Sequence, residues 1–147
     1  MEIFEKLSLI GENLLSKGMT QKEISAEDIS KLYSLGYSFF ETGNYPKAVE
    51  IFQTIATLCP FYAEAILCLG LSLYKVKDFD ASKKAFETYS LLKPSCYEGP
   101  LYMAYLEIEK ENLENAVLLL EHSLSLIEPL HEKKAHMELM IHRIRNL

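Results

Sequence analysis

Residues 33–94 read YSLGYSFFETGNYPKAVEIFQTIATLCPFYAEAILCLGLSLYKVKDFDASKKAFETYSLLKP and contain one pattern written twice. Leu35-Gly36 returns as Leu69-Gly70, Asn44-Tyr45 as Asp78-Phe79, Phe52 as Phe86 and Pro60 as Pro94, each pair 34 positions apart. A fixed period of that length marks stacked helix-turn-helix units rather than a fold assembled from unlike parts. Apolar positions recur at intervals of three and four, not two, so the segments are predicted helices and no strand is expected.

The pattern extends in both directions. Ala104 follows Gly70 by the same interval, Asn112-Leu113 follows Asp78-Phe79, Ala116 follows Ser82, and Leu120 follows Phe86, while Pro129 arrives one residue late. Beyond it Leu130, Met137, Leu139, Met140, Ile141, Ile144 and Leu147 predict a closing helix with a broad apolar face. On the other side, Ser25 with Asp28 three positions later forms a capping signal for a helix over about 26–42. Gly43-Asn44 ends that helix, and Pro46 suits the first turn of the next, where its missing amide would have no partner. Near the N-terminus Ile3, Leu7, Ile10 and Leu14 share one helical stripe that ends at Lys17-Gly18. The reading is therefore a single all-α domain over 1–147 of about eight helices. It comprises an N-terminal helix over 1–18, repeats over 26–60, 62–94 and 97–129, and a closing helix over 130–147. The N-terminal stripe either folds back as a cap over the first repeat or joins two copies of the chain as a homodimer.

Composition narrows the function. The 147 residues are 49% hydrophobic with five Pro and six Gly, enough for a buried core and unlike a disordered chain. A formal net charge of −6 argues against nucleic acid, whose phosphates are met by clustered Lys and Arg. Ala65 to Tyr74 is the longest apolar run and falls well short of the roughly 20 residues that span a bilayer. The first residues lack a basic stretch followed by an apolar core, so no secretory signal is read and a cytoplasmic location is expected.

Catalytic chemistry has no foothold. His131, His136 and His142 are spaced by five and six, which does not align metal ligands on a helix, and with His122 they are read as surface residues. Cys59, Cys68 and Cys96 form no CxxC pair and are read as reduced, small core hydrophobes. Glu107, Glu109, Glu111 and Glu114, opposed only by Lys110, read as a solvated acidic face suited to steering a basic partner. No metal, cofactor or enzymatic activity is expected.

The first helix of each unit carries two apolar stripes. In the first unit Leu32, Leu35, Gly36 and Phe39 would pack on the paired helix, whereas Tyr33, Tyr37 and Phe40 form a second stripe rotated by roughly 100°. The second stripe recurs as Leu67, Leu71 and Tyr74, then as Leu101, Tyr105 and Ile108.

Leu35-Gly36, Phe39, Gly43, Tyr45, Ala48, Phe52 and Pro60 resemble the tetratricopeptide repeat, and the resemblance runs over about 29–129. Later copies depart from it: Lys77 stands at the turn glycine, Ser82 at the small residue where paired helices approach, Pro100 and Glu107 at apolar packing sites, and Leu120 at the aromatic. An N-terminal helix followed by three repeats, with Leu32-Tyr33-Ser34-Leu35-Gly36 and Tyr45-Pro46-Lys47-Ala48, is similar to the class II chaperones of bacterial type III secretion. That resemblance implies a bacterial cytoplasmic chaperone whose client is a hydrophobic translocator or a gatekeeper protein. It also implies that the nine second-stripe residues line the concave side as a client-binding trough, open or covered by a terminal helix. Other peptide-binding tetratricopeptide proteins grip an acidic C-terminus with Lys, Arg and Asn at these places; Tyr, Phe, Leu and Ile imply apolar anchors instead. The competing reading is a scaffold that joins folded partners and needs no trough.

Overall fold

The computed structural model describes residues 24–147, and the N-terminal stripe of Ile3, Leu7, Ile10 and Leu14 lies outside them. Seven α-helices and no strand occur among the described residues: α1 (Ala26–Glu41), α2 (Tyr45–Leu58), α3 (Ala63–Lys75), α4 (Phe79–Leu92), α5 (Glu98–Glu109), α6 (Leu113–Leu126) and α7 (Lys133–Arg145). Each helix packs on its neighbours in sequence, and α3 also touches both α1 and α5. The result is the all-α tetratricopeptide superhelix.

The local signals act as expected. Ser25 Oγ accepts from the Asp28 amide at 3.1 Å, with Glu27 and Asp28 in the first turn of α1. Pro100, at an expected packing site, falls in the first turn of α5, where its lack of an amide costs no helical bond, and it is buried there.

The turn inside each unit is the same object three times. The amide of Asn44 donates to the Phe39 carbonyl at 2.9 Å, Asp78 to Leu73 at 3.0 Å and Asn112 to Glu107 at 2.8 Å. The preceding amides, of Gly43, Lys77 and Glu111, bond three residues back at 3.1, 3.0 and 3.0 Å. This is a Schellman closure, and it requires a left-handed residue just past the helix. Gly43 has φ of +82°, and Lys77 and Glu111 are forced to +65° and +59°. The lost turn glycines therefore leave the turn intact at a conformational cost.

Paired helices meet through a small residue against a large one. Gly36 faces Phe52, and a Cβ there would stand 3.0 Å from the ring; at Gly70 the distance to the Phe86 ring would be 2.5 Å. In the third unit Ala104 faces the position where Leu120 replaces the aromatic, and both are fully buried. Removing the ring thus makes room for the methyl. Ala48, Ser82 and Ala116 sit at the same close approach with no exposure, and Ser82 disposes of its hydroxyl by donating from Oγ to the Gly70 carbonyl at 2.8 Å.

The closing helix continues the period. Ser123 Oγ donates to the Tyr97 carbonyl at 2.8 Å and lies 3.3 Å from Met137 Sδ, tying α5, α6 and α7 together. His131 follows Tyr97 by 34 residues and Leu139 follows Tyr105 by 34, so α7 takes the place of a fourth first-helix.

Two measurements check these constraints. Lys77→Gly and Glu111→Gly should each raise stability by about 0.5–1 kcal/mol in urea titration, since glycine adopts this φ without a Cβ clash. Gly36→Ala and Gly70→Ala gain the same helix propensity, so their difference isolates the contact. Gly70→Ala should be the more destabilising, by about 1–2 kcal/mol, and adding Phe86→Leu should recover part of that loss.

Candidate functional site

The nine second-stripe residues all lie on α1, α3 and α5. Tyr37 is the most open, at 44% exposure, while Tyr33, Phe40, Leu67, Leu71, Tyr74, Tyr105 and Ile108 are half-buried. Half-burial leaves these side chains partly bedded on the core and partly open to solvent. Leu101 departs from the expectation. It is 1% exposed and belongs to one buried cluster with Ala104, Leu120, Met137 and Ile141, to which α5, α6 and α7 all contribute.

Tyr33 anchors one end. Its ring stacks on Tyr37 with centroids 6.3 Å apart, meets Phe52 edge-on at 5.8 Å and Tyr62 at 5.6 Å, and its hydroxyl lies 3.6 Å from Cys68 Sγ. Burial, followed by the Cys68 hydrogen bond, raises the Tyr33 phenol well above its ordinary range. Tyr74 joins the next unit: its hydroxyl donates to Glu109 Oε1 at 2.8 Å, and burial together with that bond pushes its pKa up to about 12. Tyr105 and Tyr102 pack at 5.9 Å, and Tyr102 stacks on Phe86 at 5.4 Å. Two of the wall hydroxyls are thus engaged inside the protein rather than left for a ligand, and they lock α1 to α3 and α3 to α5. Both side chains are held in place by these contacts.

Several expectations are corrected by packing. Cys68 sits in the middle of α3, and all three cysteines are half-buried free thiols rather than fully buried core residues. Burial pushes the Cys68 thiol up, which makes it a poor nucleophile. His131 is half-buried, not a surface residue: its ring meets Tyr97 at 5.0 Å, and its Nδ1 accepts from the Lys133 amide at 3.1 Å. Lys110 does not neutralise the acidic face around it but lies 3.9 Å from Asp80. Among the described residues no group of three or more His, Cys, Asp or Glu is placed to hold a metal, and no helix is long and apolar enough to cross a membrane.

One exposed apolar residue in the same register was missed. Leu139 on α7 is 46% exposed and stands in the register of Tyr37, Leu71 and Tyr105. Carrying the 34-residue period one step further would have found it.

Comparison with known proteins fits this geometry. SycD of Yersinia enterocolitica, a type III secretion chaperone solved in complex with a peptide of the translocator YopD, superposes with a TM-score of 0.79 over 84% of this chain and 97% of its own, at 23% identity. This is the fold of the type III secretion translocator chaperones. PcrH of Pseudomonas aeruginosa, solved with the chaperone binding region of PopD, gives 0.79 over 84% of this chain and 95% of its own at 21% identity. In sequence, low calcium response locus protein H of Yersinia pestis is 24% identical over 115 residues, spanning 76% of this chain and 68% of that protein. No protein-family model matches the chain.

Proposed function

We propose that this chain is a cytoplasmic type III secretion chaperone that holds an extended apolar segment of a hydrophobic translocator or gatekeeper client in its concave groove and keeps it soluble before export. The observation that carries the reading is the row Tyr37, Leu71 and Tyr105. These side chains recur once per first helix, each is partly open, and none is needed for the Gly–Phe packing that holds the units together. The fold shared with SycD and PcrH, both solved with pieces of translocator proteins, supports it.

Energetics favour this kind of ligand. Burying one Leu- or Val-sized anchor contributes about 1.5–3 kcal/mol, so three or four anchors offset the ordering of a flexible segment. A pre-formed wall adds to the balance, because Tyr33 and Tyr74 are already fixed by their contacts and lose little freedom on binding. A scaffold joining folded partners would have no use for such a wall. Leu139 extends the surface by one helix, and Leu101 serves by supporting it from beneath.

The test is Tyr37→Glu/Leu71→Glu/Tyr105→Glu. With the circular dichroism of the parent retained, the triple variant should lose client capture in co-expression with neighbouring open reading frames by at least about 100-fold in affinity. A folded variant that still captures its client fully would overturn the groove reading. The alternative roles of the N-terminal stripe separate by light scattering. If Ile3, Leu7 and Ile10 join two copies, replacing them by Ser should halve the measured mass, and an unchanged mass leaves the cap role.

A further inference from the structure

The outer end of the first unit is apolar where the next unit is not. Ile24, Ala26 and Ile29 at the start of α1, with Cys59, Phe61 and Tyr62 between α2 and α3, line a groove of about 500 Å³. One repeat later Cys59 and Phe61 give way to Lys93 and Ser95. Phe61 is 77% exposed at the groove's rim. A cavity of about 150 Å³ lined by aliphatic and aromatic side chains takes a benzene ring, so this groove has room for roughly three groups of that size.

The flank of α1 beside it is also open. Each later first helix, α3, α5 and α7, packs on the second helix of the unit before it, and α1 has no such neighbour among the described residues. Ala63, Leu69 and Ser72 of α3 are buried, whereas their counterparts 34 residues earlier are not: Ile29 and Leu35 are half-buried and Ser38 is exposed. Lys31, paired with Glu27 at 3.2 Å, stands where α3 has the fully buried Ala65. A charge there argues against a whole helix laid along α1 and directs an apolar cover to the groove at its N-terminal end.

The chain ahead of the groove fits it. The described residues begin at Ile24, itself part of the lining, so residues 1–23 set out from the groove's edge. Their spacing puts Ile3, Leu7, Ile10 and Leu14 on one stripe that ends at Lys17-Gly18. The six steps from Gly18 to Ile24 span at most about 20 Å. A tether that short holds the stripe beside its own groove at an effective concentration in the millimolar range, above what a separate copy supplies.

We propose that the N-terminal stripe docks back into this groove of its own chain, with Ile10 and Leu14 seated among Ile29, Phe61 and Tyr62. A terminal unit of a helical array needs a cover that no further repeat provides. The Tyr62 ring meets Tyr33 at 5.6 Å, so the docked stripe also steadies the first residue of the second stripe.

The experiment is alkylation of the full chain by iodoacetamide, resolved by peptide, with Cys59 in the groove as reporter and Cys96, between α4 and α5, as control. Ile10→Ser/Leu14→Ser removes two buried side chains, so Cys59 should react about ten-fold faster or more while Cys96 keeps its rate. The mass by light scattering should stay that of the parent. Equal acceleration at both cysteines reports a lost fold, and Leu14→Ala is then measured in its place, with a smaller rise expected at Cys59 alone. From the groove side, Phe61→Ser should speed tryptic cleavage after Lys17 several-fold. An unchanged rate at Cys59, or unchanged cleavage after Lys17, overturns the proposal. A faster Cys59 together with a halved mass overturns it as well, since the stripe of a second copy then fills the groove.

Discussion

Everything in this molecule depends on how closely two helices of a unit can approach. The limit is set by a glycine or alanine under a large side chain: Gly36 under Phe52, Gly70 under Phe86, and Ala104 in the third unit with Leu120 in place of the ring. Interiors pack too densely to tolerate a stray methyl, so the first and third pairings are not interchangeable. A Cβ is admitted where the ring is gone and excluded where it stays. This steric exchange fixes the angle between paired helices, and the angle fixes which face of each first helix is left over.

The left-over face becomes a wall because the turns reproduce that geometry. Three Schellman closures with matching hydrogen bonds reset the chain once per unit. Lys77 and Glu111 accept a left-handed backbone to do so, which shows that the turn is imposed by tertiary packing and not by the residue at its apex. Helices set at a constant turn and a constant approach present the same positions at a constant spacing. Tyr37, Leu71, Tyr105 and Leu139 form a row for that reason.

Much of this was legible in the residues. The period of 34, the Ser25 cap and the Gly–Phe pairs gave the helices and their order, because all are local signals or exact repetitions. What escaped was non-local. Leu101 shares the register of Tyr33 and Leu67, yet it lies in a buried cluster that draws on Leu120 of α6 and on Met137 and Ile141 of α7, which no pattern within its own helix encodes. His131 shows the same limit, since its contact with Tyr97 arises only once α7 occupies the place of a fourth first-helix. Tyr33 and Tyr74 were legible as members of the second stripe, but the engagement of their hydroxyls by Cys68 and Glu109 depends on side chains from the next unit.

Those inter-unit hydroxyl contacts show what a tyrosine does at these positions that a leucine could not. A row of leucines alone would be apolar but free to move between rotamers. Tyr33 and Tyr74 are each fixed at two points, the ring against neighbouring rings and the oxygen against Cys68 or Glu109. Ordering the wall is thereby completed during folding. Desolvation opposes the phenolate of both half-buried rings, so they stay neutral beyond the pH at which a free tyrosine ionises.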